Sequence, residues 1–232
     1  MKLIKIILTV CLLCLVLPAF SQQTLLNVVQ PTEIDQQYDT KKGANRPQYS
    51  WGQICFGTFL VLDETDSKQS FINYFALNSN RKYKINGAFS HGFGWGFHYL
   101  SYNLSRDGLE KMGSYYWEKG KLNNIGLNVN YFLRLNFDPK RGNTIGYYLD
   151  ILPYTQYNFY QRAEFQQKRI TEKNRKGDFP DRYAVGGEVR LGKEFFSIYI
   201  RYKYLSYNPK SGRYADLDLA KWSVGINFNI EN

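Results

Sequence analysis

The sequence predicts an all-β chain closed into an antiparallel up-and-down transmembrane β-barrel of about eight strands. Three observations carry this expectation. Residues 51–232 alternate apolar and polar side chains with period two. The alternating segments are long for a soluble protein, and the connections between them switch between tight and long.

The first residues are read as an export signal rather than as fold. Lys2 and Lys5 precede an apolar run over 6–17, and Pro18-Ala19-Phe20-Ser21 places small residues where a cleavage site requires them. The run falls short of the roughly 20 apolar residues that a spanning helix needs. Val10 and Leu13 precede Cys11 and Cys14 where a lipoprotein would carry a small residue. Residues 1–21 are therefore expected to be a signal peptide and 50–232 the barrel. Residues 22–49, polar and holding Pro31 and Pro47, read as a flexible periplasmic lead-in.

Loss of the signal leaves Cys55 alone, which excludes a disulfide framework and a thiolate metal cluster. Removing Lys2 and Lys5 from the 30 basic residues leaves 28 against 20 acidic ones, a charge of +8. In an exported chain that excess points to anionic headgroups of an outer leaflet, lipopolysaccharide included, rather than to nucleic acid.

The clearest strand is 123–138. Ile125, Leu127, Val129, Tyr131, Leu133, Leu135 and Phe137 share one face, while Asn124, Asn128, Asn130, Arg134 and Asn136 share the other. The same alternation runs through 83–90, 93–99, 145–151 (continuing to about Phe165), 183–191, 196–204 and 222–230. The first strand, 51–62, is apolar on both parities. Segments of roughly 10–15 residues exceed the usual soluble strand and reach the 9–11 needed to cross a bilayer at a tilt. Ser90-His91-Gly92, 138–143 and Gly192-Lys193-Glu194 read as tight turns, whereas 63–82, 105–121, 166–181 and 208–219 read as long polar loops. Short turns on the periplasmic side and long loops outside are the outer-membrane pattern.

Aromatics are expected to form two girdles at headgroup level. Trp51, Phe89, Phe93, Trp95, Phe137, Tyr147 and Phe196 would mark the inner rim, and Tyr83, Tyr99, Tyr183, Tyr204 and Trp222 the outer one.

With these strands, turns and rims, the chain resembles the small outer-membrane barrels of the OmpA-transmembrane and OmpX type. The resemblance covers 51–232 and is architectural, without a family-specific motif. Such barrels usually end on an aromatic residue; here Phe228 is followed by Ile230 and Glu231-Asn232.

An eight-stranded barrel is just wide enough for side chains to fill it. Lys84, His98, Arg134, Asp150, Glu188, Arg190, Arg201, Lys203 and Lys221 are expected to point inward as a polar plug. In it Asp150 and Glu188 would each serve more than one partner, offsetting desolvation. The loop 166–181 gathers Lys168, Arg169, Lys173, Arg175 and Lys176, a mobile solvated surface in the simpler reading and a contact for lipopolysaccharide phosphates in the sharper one.

Gly92-Phe93-Gly94-Trp95-Gly96 opens no helix, so it is read as room-making in the lumen rather than a nucleotide loop. Two histidines are too few for a zinc site. His98 and Ser101 fall on opposite strand faces and form no catalytic pair. The expectation is a non-enzymatic, monomeric barrel without cofactor or metal, serving the envelope structurally or through its loops. An accessory subunit of an outer-membrane secretion or assembly complex, docking a second envelope protein, is the alternative. A lipid A-modifying enzyme and a small channel rank below both.

Overall fold

The computed structural model describes residues 43–62, 65–70, 72–113, 116–138, 145–168, 170–175 and 179–231. The expected signal peptide and residues 22–42 of the expected lead-in lie outside the described residues. The elements are β1 (Gln48–Leu60), β2 (Ser67–Lys68), β3 (Tyr74–Lys84), β4 (Phe89–Leu104), α1 (Arg106–Lys111), β5 (Lys119–Asn136), β6 (Tyr147–Gln167), β7 (Ile170–Asn174), β8 (Tyr183–Lys193), β9 (Phe196–Ser206) and β10 (Trp222–Glu231).

Eight of these strands form a closed antiparallel ring in the order β1, β3, β4, β5, β6, β8, β9, β10 and back to β1. The predicted up-and-down barrel is therefore borne out. Its two faces are inverted relative to a soluble barrel. Phe93, Trp95, Phe97, Leu127, Val129, Leu133, Ile151, Val189 and Ile200 are exposed on the outer face. Asn78, Asn128, Arg134, Asp150, Glu188 and Arg190 are buried inside. Phe89 to Tyr99 spans about ten steps of about 3.3 Å, which at a tilt of about 40° gives roughly 25 Å, the height of a transmembrane apolar band. Among the described residues no helix is long and apolar enough to cross a membrane.

The wall strands that run past this band build a sheet above it. β4, β5 and β6 are 16, 18 and 21 residues long. Their upper ends are joined by β2 pairing with β4 and β7 pairing with β6. A bulge in β6 opposite Ile125 and Gly126 inserts Phe159 and switches the parity of the strand. Tyr154 and Gln156 therefore face the lumen below it, and Ala163 and Phe165 face inward above it.

The first hairpin differs from expectation. Ser90-His91-Gly92 lies inside β4, and the turn is at 85–88. Asn86 makes it: its Oδ1 accepts from the amides of Ala88 (2.9 Å) and Phe89 (2.8 Å). The Asn86-Gly87 pair is a hairpin signal in the sequence itself. The expected loop 63–82 consequently shortens, because 74–82 belong to β3. Tyr83 moves to the short-turn rim, stacked on His91 and Phe93. Trp51 is not a rim residue but sits in the lumen, 2% exposed.

The glycines of β4 face inward, and a methyl group on Gly92 or Gly96 would collide with the Phe132 ring or the Asn78 side chain. Tyr199 lies across a second gap, made by the cross-strand pair Gly57 and Gly225. Gly225→Val would push a side chain into the Phe56 carbonyl and the Tyr199 hydroxyl. We expect it to cost about 1–3 kcal/mol by overpacking. Gly187→Val, at a position with nothing within 4 Å, should be close to neutral. Urea midpoints of the two variants refolded in detergent check this.

Candidate functional site

The lumen is stratified, and each tier follows from strand register. In the lowest tier Arg134 and Asp150 are direct cross-strand partners on β5 and β6. Arg134 Nε and Nη2 donate to the two Asp150 oxygens at 2.6 and 2.7 Å. Its guanidinium lies 3.7 Å from the Tyr148 ring centre and 5.0 Å from that of Trp51. Around this pair Ala44, Tyr49, Trp51, Phe132, Ile145, Tyr148 and Leu152 form a buried apolar cluster that fills the short-turn end. Buried Lys82 donates its ammonium to the Ala44 carbonyl, and Lys84 donates to Asn45 O at 3.0 Å. The last residues of the expected lead-in, 43–47, are thereby held in the short-turn mouth.

The middle tier is built on Glu188. Arg190 lies two residues along the same face of β8, and Arg201 lies directly across on β9. Arg190 Nε donates to Glu188 Oε1, and Arg201 Nε donates to Oε2 at 2.6 Å. Because Asp150 also pairs in register with Arg190, the charges run Arg134, Asp150, Arg190, Glu188, Arg201 with alternating sign. Amide side chains fill the opposite wall: Gln53 Nε2 donates to Asn229 Oδ1 at 2.9 Å and Asn128 Nδ2 to Asn78 Oδ1 at 3.1 Å. Cys55 is buried among them and accepts from Asn78 at 3.2 Å.

In the upper tier the Arg201 guanidinium is 4.5 Å from the Tyr74 ring centre and 4.6 Å from that of Tyr154. Lys203 pairs with Asp181 at 2.5 Å. Asp181 comes from the loop before β8 and turns inward at a left-handed φ of 61°, a conformation that Asp adopts more readily than most residues. His98 Nε2 meets Asn158 Oδ1 at 2.7 Å, and Asn158 Nδ2 donates to the Asp181 carbonyl. A cavity of about 20 Å³ bordered by Tyr74, Tyr102, Arg201 and Lys203 lies here, room for about one water.

Of the residues expected inside, His98, Arg134, Asp150, Glu188, Arg190, Arg201 and Lys203 are buried in the lumen. Lys84 is half-buried at the short-turn mouth. Lys221 is a correction: it precedes β10 at the opposite end, is 43% exposed and pairs with Asp218 at 3.3 Å. Among the described residues Asp150 forms its ion pair with Arg134 only, whereas Glu188 holds two arginines. Sequence reading missed Lys82, whose inward parity is hidden by the misplaced turn. It also missed Asp181, since nothing in a polar loop tells which carboxylate will turn into the barrel.

The long loops fold into a cap. Leu109 and Met112 from α1 and its end, Phe179 before β8, and Tyr214, Leu217, Leu219 and Ala220 before β10 are buried with Leu104, Leu122 and Phe165 of the strand extensions. The Phe179 and Tyr214 rings are 4.7 Å apart. Asp66 joins three loops. Its Oδ2 accepts from the Asp218 amide at 2.7 Å and from Lys111 Nζ at 3.1 Å, while its carbonyl accepts from the Ser105 amide at 2.8 Å. The hydrogen bond to Asp66 holds the Lys111 ammonium above its ordinary range. The loop 166–181 is thus divided: Lys168, Lys173 and Arg175 are exposed on the β6–β7 hairpin and beyond, while Phe179 and Asp181 are buried. Arg169 and Lys176 lie outside the described residues.

Glu188→Gln should leave two buried guanidinium groups undercompensated and cost about 3–5 kcal/mol, read as a lowered urea midpoint in detergent micelles. Asp66→Ala removes the acceptor that joins the loops. We expect faster protease cleavage in 105–118 and 207–221 on intact cells, with the barrel band unchanged.

No protein-family model matches the chain, and no curated protein matches it in sequence. Among solved structures it is similar to Ail, the attachment invasion locus protein of Yersinia pestis, determined in complex with the heparin analogue sucrose octasulfate. The identity is 14%, the likeness covers 79% of this chain and 98% of that chain, and the TM-score is 0.36.

Proposed function

We propose that this chain is a non-enzymatic outer-membrane β-barrel serving as a closed scaffold. Short turns face the periplasm, and the loop cap faces outward to meet an envelope ligand or surface. The observation that carries this reading is the closure of the lumen at both ends around a paired charge network. Residues 43–47 and the Trp51–Phe132–Tyr148 cluster fill one mouth, and the loop cap covers the other. A conduit needs a continuous aqueous path, whereas the described lumen side chains pair with one another along the barrel. A lipid-modifying site needs its base and nucleophile on one face. His98 points inward to Asn158, while Ser101 on the outer face donates to Asn123 at 2.9 Å. Binding is assigned to the outward face, where rigid scaffolds usually carry it. Lipid and lipopolysaccharide around the barrel are its expected partners.

Outer-membrane fractionation with unboiled and boiled gel samples tests the scaffold. A folded barrel should shift its mobility on boiling; a soluble, heat-insensitive chain would end this reading. In planar bilayers we expect no stable unitary conductance. His98→Ala should leave lipid A acylation unchanged, as judged by mass spectrometry of extracted lipid.

A further inference from the structure

Above the aromatic rim the outer wall carries a basic strip that the lumen network does not use. Lys68 on β2, Asn103 on β4 and Lys121 on β5 are direct cross-strand neighbours in one row. Lys119 stands two residues along β5 on the same face. Together with Gln69 and Glu118 they line a groove of about 240 Å³. The three lysines are exposed, and among the described residues none is held in an ion pair. The next carboxylate in the row, Glu164, is occupied by Arg162. Among the described residues Glu118 is the one acid lining the groove.

The position of the strip identifies its ligand. Asn103 and Lys121 have the same strand parity as Trp95, Phe97, Tyr99, Ile125 and Leu127, so they project from the lipid-facing wall rather than from the crown. Asn103 is four residues beyond Tyr99, about 13 Å along the strand and roughly 10 Å in height once tilt is allowed for. A lysine at that height, aimed sideways, meets the headgroup layer of the surrounding leaflet, not a soluble molecule approaching from above.

We infer that Lys68, Lys119 and Lys121, with the Asn103 amide, form a binding site for a phosphate-bearing headgroup of an outer-leaflet lipid packed against the β2–β4–β5 wall. This rests on the outer-membrane reading above and adds a site to it. The ammonium groups supply charge and the Asn103 amide a directed donor, while the acyl chains of the same lipid lie on Trp95, Phe97, Leu127 and Val129. Lys173 lies across Glu164 from Lys121 and continues the row onto β7, whereas Lys168 and Arg175 stand at the turn of the β6–β7 hairpin and beyond its end.

The test is lipid retention by the purified full-length barrel in detergent, counted by native mass spectrometry after incubation with diphosphorylated lipid A or its dephosphorylated form. The wild type should retain the phosphorylated lipid at least about 10-fold better, since each lysine near a charged surface contributes a factor of about five. K68Q/K119Q/K121Q should bring the two lipids within about 2-fold. Glu118→Gln should strengthen retention, which keeps the test decisive if the triple variant refolds poorly. Unchanged retention in both would overturn the site. A loss seen instead in K168Q/K173Q/R175Q would move recognition to the hairpin and overturn it as well. Equal retention of inorganic tripolyphosphate would overturn the lipid as occupant. Failure of the heat-dependent gel shift in the wild type would strike the outer-membrane reading itself, so the two failures are distinguishable.

Discussion

Within hydrocarbon a backbone N–H or C=O has no partner except another strand, and each one left unpaired costs several kcal/mol. That constraint governs the whole molecule. It requires β1 to find β10 and close the ring, and it forces a ring rather than a sheet with edges. Once eight strands close, the strand count fixes the radius, and the radius is too small for an open channel. Side chains on the inner face then have to satisfy one another.

The inner face holds more than its own strands can balance. Arg134, Arg190 and Arg201 alternate with Asp150 and Glu188 along neighbouring strands, but Lys82 and Lys203 remain. The chain meets their needs from outside the wall, with the Ala44 carbonyl from below and the Asp181 carboxylate from above. The same two contacts close the mouths. Among the described residues, partnering the inward cations and filling the two mouths are thus one arrangement. Such pairs are dear to break and contribute modestly to net stability. Their clearer effect is to select one packing of the lumen.

Above the membrane the problem is reversed. There the loops meet water, and they stay ordered by burying apolar surface against the strand extensions and by sharing the Asp66 carboxylate and carbonyl. The overlong β4, β5 and β6 serve as the base of that cap. They also carry polar side chains beyond the apolar belt on the outer wall, where Lys68 and Lys121 flank Asn103. A strand that only crossed the membrane would offer no such surface.

The period-two code was legible because a strand side chain has only two directions. It identified seven of the wall strands, while the segment 83–90 proved to span the turn between β3 and β4, and it placed Arg134, Asp150, Glu188, Arg190 and Arg201 on the side opposite the apolar belt without knowledge of any neighbour. It could not locate the first turn, since alternation is unchanged as a strand ends and its partner begins; the Asn86-Gly87 signal was the missing clue. Nor could it orient Trp51, because β1 is apolar on both parities and only the ring of neighbours decides which face is the lumen. Bulges at Phe159 and Tyr204 shift register against the partner strand and show only in the pairing. Local alternation by itself determined a polar-filled, lipid-facing barrel. Which loop groups enter that barrel, and which lysines align across three strands, was decided only by tertiary structure, because those contacts join residues that no local spacing relates.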